Sequence, residues 1–255
     1  MKISAVIITF NEEDRLPDAL ASLQGIADEI VVVDSFSSDR TPDIARQSRT
    51  TFYQNHFEDY GQQKNFALQK ANHDWVLNLD ADERVSPELK QAILELKEKQ
   101  IPEHTVAFAI RRKSFYLGRW IRYSGWYPDR KVRLFRKSGS LWQGRIHERL
   151  QVNGAIETLS GSILHYTYRD ISDHISRLNR YSTFLAEEIV RQEKKCLVLR
   201  LLLLPPVTFF RHYVWRLGFL DGFAGLVIAA VSSWGTAMKY FKAIAGKQSA
   251  KDRTR

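Results

Sequence analysis

Asp80 and Asp82 close the apolar run Trp75-Val76-Leu77-Asn78-Leu79, and Glu83 follows, so three carboxylates crowd into four residues at the mouth of a strand-like segment. Like charges this close cost stability unless something positive sits between them. Side chains two apart on an extended segment project to the same side, a spacing that suits a hard divalent cation. Such a cation takes one or two protein carboxylates and completes its shell with phosphate oxygens and water. A lone D-x-D is equally the pattern of a solvated acidic turn. Two further apolar runs nevertheless end in polar residues: Thr9, Asn11 and Glu12 close SAVIITF, and Asp34 and Ser35 close EIVVVDS. Open α/β sheets bind ligands at the carboxyl ends of their strands, so the three ends together point to one site, although Asp34 alone reads as a loop or helix cap. Neither a G-x-G-x-x-G after the first run nor a G-x-x-x-x-G-K-[ST] anywhere offers a phosphate-cradling loop. A bound diphosphate would therefore need the cation.

The elements that must position these residues alternate. SAVIITF is apolar almost throughout, as a strand covered on both faces should be. Leu16, Ala19, Leu20 and Leu23 then recur at helical spacing. EIVVVDS predicts a second strand, 41–48 a short helix with Pro42 in its first turn, TTFYQN a third strand and 62–71 another helix. WVLNLD predicts the fourth strand, and Ser86-Pro87-Glu88 starts a capped helix that runs to about Lys99. This rhythm predicts a parallel α/β sheet. From Val106 to Tyr168 short strand candidates (VAFAIRR, KVRLFRK, ERLQVNG, SILHYTY) predict a mixed, loop-rich addition to that sheet. Helical periodicity returns from Asp170. The expected organisation is residues 1–105 as an α/β part, 106–169 as the mixed, loop-rich part, and 170–255 as a helical, amphipathic and apolar region with a basic tail.

The chain has 255 residues, 44% apolar and 12% aromatic, which permits a substantial core and excludes wholesale disorder. One cysteine, Cys196, excludes an internal disulfide and a multi-cysteine metal site, which fits a reducing compartment. The opening MKISAVIITFNEEDRL meets acids directly after its short apolar run and reads as a first strand, not a secretion signal. The net charge of +9 is uneven: residues 1–110 hold 11 Lys/Arg against 19 Asp/Glu, 111–150 hold 12 against 2, and 151–255 hold 15 against 8. A basic remainder favours an anionic partner, whether nucleic acid, phosphorylated glycan or membrane surface.

VIITFNEEDRL, VVVDSFSSDRT, QQKNFAL and LNLDADE resemble glycosyltransferase family 2, whose members are inverting enzymes with a GT-A nucleotide-sugar-binding fold. RLFRK, GRIHERL, HYTYRD and GFLDGFAG narrow the resemblance to lipopolysaccharide-core β-1,4-glucosyltransferases. The resemblance covers nearly the whole chain. It implies a Rossmann-like mixed sheet, mainly parallel and flanked by helices, with a C-terminal helical membrane-associating region. It also implies that Thr9, Asn11 and Glu12 line the nucleotide pocket and that Asp34 holds uracil or ribose. Lys64 and Asn65 would face the donor, and Asp82 would bind Mg²⁺ or Mn²⁺, with Asp80 on the ribose or the metal.

Transfer needs a base for the attacking hydroxyl, and Glu148 in Gly144-Arg145-Ile146-His147-Glu148 is the candidate. An inverting reaction places one carboxylate opposite the leaving group. Asp129 and Glu148 are the two acids among the twelve bases of 111–150, so an isolated carboxylate stands out. The competing reading is an ion pair with Arg145 or Arg149. Many family members carry Asp at the comparable place. His147 and His165 could assist the metal or the diphosphate, or serve as structural donors. Arg133, within RKVRLFRK, is expected to face phosphate while the remaining bases of the run face an anionic acceptor, the competing reading being a solvated edge strand guarded by charge. The aromatic and basic segment 115–127 suits sugar or base stacking and equally a core.

The C-terminal runs LVLRLLLLPPVTFF and LGFLDGFAGLVIAAVSSW are interrupted by Arg200, Pro205-Pro206 and Asp221. Neither supplies a clean span of about 20 apolar residues. Flanking arginines and aromatics suit an interfacial position, and packing on the catalytic domain or dimerisation are the alternatives. The expectation is an inverting, metal-dependent enzyme that moves a sugar from a UDP-sugar, foremost UDP-glucose, onto the lipid A–core oligosaccharide. It would work at the cytoplasmic face of the inner membrane, bound peripherally or monotopically. A polyprenyl phosphate or another surface glycan is the second acceptor reading. Nucleic acid is not an expected partner, and a basic nucleic-acid-binding α/β protein is the rival from another class.

Overall fold

The computed structural model describes residues 1–144 and 148–252, with side chains to Gln248. The chain divides into two compact units, Met1–Lys113 with Asp129–His165, and Ser114–Pro128 with the residues from Tyr166 onward.

In the first unit β1 (Ile3–Thr9), α1 (Leu16–Leu23), β2 (Glu29–Asp34), α2 (Thr41–Gln47), β3 (Thr51–Gln54), α3 (Tyr60–Lys70) and β4 (Trp75–Asp80) alternate. After them come β5 (Glu83–Val85), α4 (Pro87–Glu98), β6 (Thr105–Tyr116), β7 (Arg119–Trp120), β8 (Asp129–Arg136), β9 (Leu141–Gln143), β10 (Arg149–Gln151) and β11 (Ala155–Tyr166). The sheet order is β3-β2-β1-β4-β8-β6-β11-β5. Pairing is parallel from β3 to β4 and antiparallel at β4–β8, β8–β6 and β11–β5. The mixed sheet flanked by helices expected from the sequence is what the chain forms.

The near-continuous apolar strands are explained by burial on both faces. Ile3, Ala5 and Ile7 of β1 face a cluster with Leu16, Leu20 and Leu23 of α1 and Leu89 and Ile93 of α4. Val6, on the opposite face, packs with Val31, Val33, Val76, Phe135 and Ala67 of α3. Each fully buried Leu or Ile contributes about 1.5–3 kcal/mol, so these two clusters fix the register. That register sets Thr9 opposite Asp34 and Ile8 opposite Asp80, which puts the polar ends of β1, β2 and β4 level at one edge.

The second unit pairs the end of β6 with β7 and adds α5 (Ile171–Arg191), α6 (Leu197–Phe210) and α7 (Gly222–Asp252). Asp170 caps α5 by accepting from Asp173 N at 2.7 Å. The amphipathic face of α5 and the small-residue face of α7 pack together, and Tyr116, Ile121, Val227 and Ile228 form one of the unit's cores. Exposed Cys196, with φ of 56°, caps α6.

By length and composition, Leu197–Trp215 and Gly218–Gln248 each suffice to cross a membrane. The helical path continues through Pro205 and Pro206 into a π-helical turn, Arg211–Trp215, and Ser233 Oγ donates to Pro205 O at 2.8 Å. Asp221 lies ahead of α7, not inside it. The interruptions that divide these runs in the sequence therefore do not divide the helices. Of α6, Leu197 alone is buried, while Leu202 is 65% exposed and Trp215, just beyond, is 85% exposed.

His174 stacks on Tyr168 with ring centroids 4.0 Å apart, and its Nδ1 lies 2.9 Å from the Tyr116 hydroxyl. Burial, with Arg177 adding to it against Asp173, pushes the imidazole from its ordinary 6.5 to about 4. Burial also pushes Tyr116 up to about 12. A depressed histidine contributes stability above its unfolded pKa and loses it as the pH falls toward the folded value. Between pH 6.5 and 4 the loss should approach about 3 kcal/mol. Chemical denaturation of wild type and His174→Gln across that window checks it. An unchanged slope in the variant would show that this ring does not carry the effect.

Candidate active site

The carboxyl edge of the parallel strands carries an interlocked set of charges, all within the first unit. Asp59 caps α3 by accepting from Gln62 N at 2.8 Å, which aims the second turn of that helix at the edge. Lys64, on that turn, is buried, and its Nζ lies 3.2 Å from Asp80 Oδ1 and 2.9 Å from Glu148 Oε1. The Trp142 ring covers the ammonium at 4.7 Å. Gly61 permits the close approach of the chain leading toward Glu148, because a Cβ there would meet Gly144 O at 2.8 Å.

Beneath Asp80, Arg133 gives Nη2 to Asp80 Oδ2 at 2.7 Å and to the fully buried Glu83 Oε1 at 2.5 Å. Glu83 also accepts from Asp80 N at 3.1 Å. Burial alone would raise the Asp80 carboxyl. The charges of Arg133 and Lys64, and their hydrogen bonds, overcome it and hold Asp80 well below the usual carboxylate range. Asp82 pairs with His165 Nε2 at 3.4 Å and Arg15 Nη1 at 3.6 Å. Burial again opposes the shift and His165 leads the groups that lower it. The β5–β11 register, with His165 opposite Glu83, brings this histidine to the edge.

The neighbouring wall is built by the loops after β1 and β2. Asp34 is fully buried and accepts from Ser37 N (2.9 Å), Ser37 Oγ (2.5 Å) and Thr9 Oγ1 (3.1 Å). Asn11, at φ 54°, donates its N–H to Ser37 Oγ at 2.8 Å and accepts from Ser38 N at 2.9 Å. Glu12 N donates to Thr41 Oγ1 at 2.8 Å. Gln54 Nε2 stands at 3.5 Å from Asp34 Oδ2, so a nucleobase N–H in direct contact with Asp34 would take the place of this longest of the carboxylate's four bonds. Asn65 bridges the Trp142 backbone in both directions at 2.9 Å, so its amide is engaged with β9.

Asp80, Asp82, Lys64, Glu148 and Arg133 are thus brought together, with Thr9, Asn11, Glu12 and Asp34 on the adjoining strand ends. Arg133, read from sequence as facing a phosphate, has its guanidinium on Asp80 and Glu83, because Glu83 is buried on the same face and demands a counter-charge. Glu148 pairs with Lys64, 84 residues away in sequence, a partner the local pattern does not reveal. His147 lies outside the described residues. Sequence reasoning passed over Arg15 and the structural part of Glu83, and no local motif marks either. Among the described residues no three His, Cys, Asp or Glu side chains gather as a complete metal-binding set.

The family model "Glycosyl transferase family 2" matches residues 4–153. Lipopolysaccharide core biosynthesis glycosyltransferase LpsC of Rhizobium meliloti (strain 1021) is 30% identical over 254 residues, covering 95% of this chain and 93% of LpsC. Glycosyltransferase RT0209 of Rickettsia typhi, itself uncharacterized, is 30% identical over 94% of this chain and 86% of its own length. Among solved structures, residues 1–349 of S. aureus TarS align at 17% identity with a TM-score of 0.48, covering 98% of this chain and 92% of that one. More than half of the chain answers to the family model, and nearly all of it aligns with LpsC: this is a glycosyltransferase of family 2, with the mixed sheet of the GT-A fold.

Proposed function

We propose that the enzyme is an inverting, metal-dependent hexosyltransferase. It moves a sugar, glucose foremost, from a UDP-sugar onto the lipid A–core oligosaccharide of lipopolysaccharide at the cytoplasmic face of the inner membrane. The observation that carries the catalytic reading is Lys64 Nζ bridging Asp80 and Glu148, at 3.2 and 2.9 Å, which ties the D-x-D to the candidate base. The acceptor reading is supported by the likeness to LpsC, a lipopolysaccharide core glycosyltransferase by name, and by the excess of basic residues after residue 110.

Asp82 and His165 offer a carboxylate oxygen and an imidazole nitrogen side by side. That donor pair fits Mg²⁺ or, with its greater tolerance of nitrogen, Mn²⁺, the rest of the shell coming from phosphate and water. Bound there, the cation would neutralise the diphosphate as it leaves. Lys64 can move its ammonium from Asp80 to a phosphate oxygen. Arg133 keeps Asp80 ionised and fixed. Thr9, Asn11 and Glu12 shape the nucleoside wall through the loops after β1 and β2. Glu148 accepts the proton of the attacking hydroxyl on the face opposite the departing UDP.

The membrane reading rests on the second unit. The α6–α7 pair satisfies polar groups internally, Ser233 with Pro205 O at 2.8 Å and Thr208 with Thr236 at 3.4 Å, as lipid-facing helices must. Thermal unfolding tests the site: UDP at about a hundredfold over its Kd should stabilise the protein by about 2.7 kcal/mol in Mn²⁺ or Mg²⁺ and much less with a chelator. Asp82→Ala should remove the metal-dependent part. UDP protection indifferent to both metal and Asp82 would refute the metal site. Screening UDP-sugars with purified core oligosaccharide and with polyprenyl phosphate then decides donor and acceptor.

A further inference from the structure

A cavity of about 390 Å³ lies wholly within the second unit, between the segment after β7 and the π-helical turn. Arg122 and Arg216 line it together with Tyr123, Tyr127, Trp215 and Leu217. Both arginines are exposed, and among the described residues neither guanidinium has a carboxylate within ion-pair distance. A pair of arginines left unmatched beside aromatic rings suits an oxyanion, and their planar guanidinium forks match two oxygens of a phosphate.

The backbone that carries them is pinned from both sides. Buried Asp221 accepts from Arg122 N at 3.2 Å and Tyr123 N at 2.8 Å. Ser124 N donates to Arg216 O at 3.0 Å, and His212 Nδ1 lies 2.7 Å from Ser124 O. Gly125, at φ +77°, lies directly under the Arg216 side chain, where a Cβ would sit 1.9 Å from Nη1. The backbone under both arginines is therefore fixed before any ligand arrives, which lowers the ordering cost of binding to that of the two side chains.

What surrounds the cavity names the occupant. Val214, Trp215, Leu217, Phe219, Leu220 and Phe223 are 43–85% exposed, an apolar rim continuous in sequence with the bare face of α6. From Lys194 to Leu220 the chain has no Asp or Glu but carries Lys194, Lys195, Arg200, Arg211 and Arg216. Apolar and aromatic surface edged by cations without acids is complementary to a bilayer with anionic headgroups. We propose that this cavity binds the phosphate of an anionic phospholipid headgroup while the rim of Val214–Phe223 enters the acyl boundary. The inference rests on the membrane reading above and adds to it a specific headgroup site.

Vesicle sedimentation of the full chain tests both separately, with phosphatidylcholine vesicles and with vesicles containing phosphatidylglycerol. Wild type should bind both and prefer the anionic ones. The Arg122→Gln/Arg216→Gln variant should lose about 30-fold in affinity for anionic vesicles, about 1 kcal/mol for each arginine, and keep its affinity for neutral ones. A Lys2→Gln/Lys99→Gln control removes the same charge from exposed sites in the first unit and should behave as wild type. Equal loss in the control, or none in the arginine variant, overturns the headgroup site and leaves the membrane reading standing. No binding to either vesicle overturns the membrane reading and the site with it. Release of wild type from anionic vesicles by low concentrations of glucose 1-phosphate, with no such effect on the arginine variant, would assign the cavity to a soluble sugar phosphate and overturn the lipid assignment.

Discussion

Glu148→Gln should lower turnover by about 10²–10⁴-fold, the range for removing a general base, while leaving the UDP-sugar KM and the thermal stability nearly unchanged. The reason for the separation is geometric. Glutamine keeps an oxygen for Lys64 Nζ, which lies 2.9 Å from Glu148 Oε1, so the link from α3 to this segment survives. What the amide cannot do is take a proton. Steady-state kinetics with the donor and acceptor identified by screening read kcat and KM apart. A variant within about threefold of wild type in kcat falls well below that range and would remove Glu148 from the base role. A fall in stability comparable to the fall in rate would show that the carboxylate is structural.

Arg133→Met should cost about 3–5 kcal/mol of folding stability, the usual penalty for breaking a buried pair and leaving its acid uncompensated. Two acids lose their nearest cation here, since Arg133 Nη2 serves both Asp80 and Glu83; Asp80 keeps Lys64 Nζ at 3.2 Å. Glu83 is fully buried, and its remaining cation, Arg112 Nη1, is 3.5 Å away. The pH dependence has a definite sign. Arg133 helps to hold Asp80 well below the usual carboxylate range, a contribution fully present above the unfolded value near 3.9 and lost as the pH falls through the depressed folded value. The gap between wild type and variant in urea denaturation should therefore narrow in acid. Adding Glu83→Gln to Arg133→Met should recover part of the loss, since the two residues are in contact and their effects do not add. A single-variant loss under about 1 kcal/mol is what a solvated pair gives and would contradict the burial argument.

The parallel part of the sheet was legible because its strands are buried on both faces, and continuous apolar runs such as SAVIITF admit few other uses. Their polar ends were legible for the same reason: a charge such as Asp80 at the close of a buried run needs a cause. The antiparallel part was read with looser boundaries. β11 begins at Ala155, seven residues before the SILHYTY run, because its exposed first half carries no apolar alternation. β5, three residues long, is held by β11 and not by propensity, so nothing local announces it. The partners that neutralise the acids were hidden as well. Arg15, Lys64, Arg133 and His165 reach Asp80 and Asp82 through packing between distant elements, and a single charged residue in a sequence does not disclose whether it faces solvent. Pro205 and Pro206 misled in the opposite direction, since tertiary contact with α7 keeps the helical path going where local rules end it.

Cys196 gives the molecule a natural attachment point. It is the sole thiol, it is exposed, and Val198 and Leu199 (60% and 55% exposed) follow it at the head of α6. Maleimide chemistry on the unaltered chain would therefore mark one position only. A nitroxide or solvatochromic dye there would act as a depth gauge, with no engineered cysteine and no background labelling to subtract.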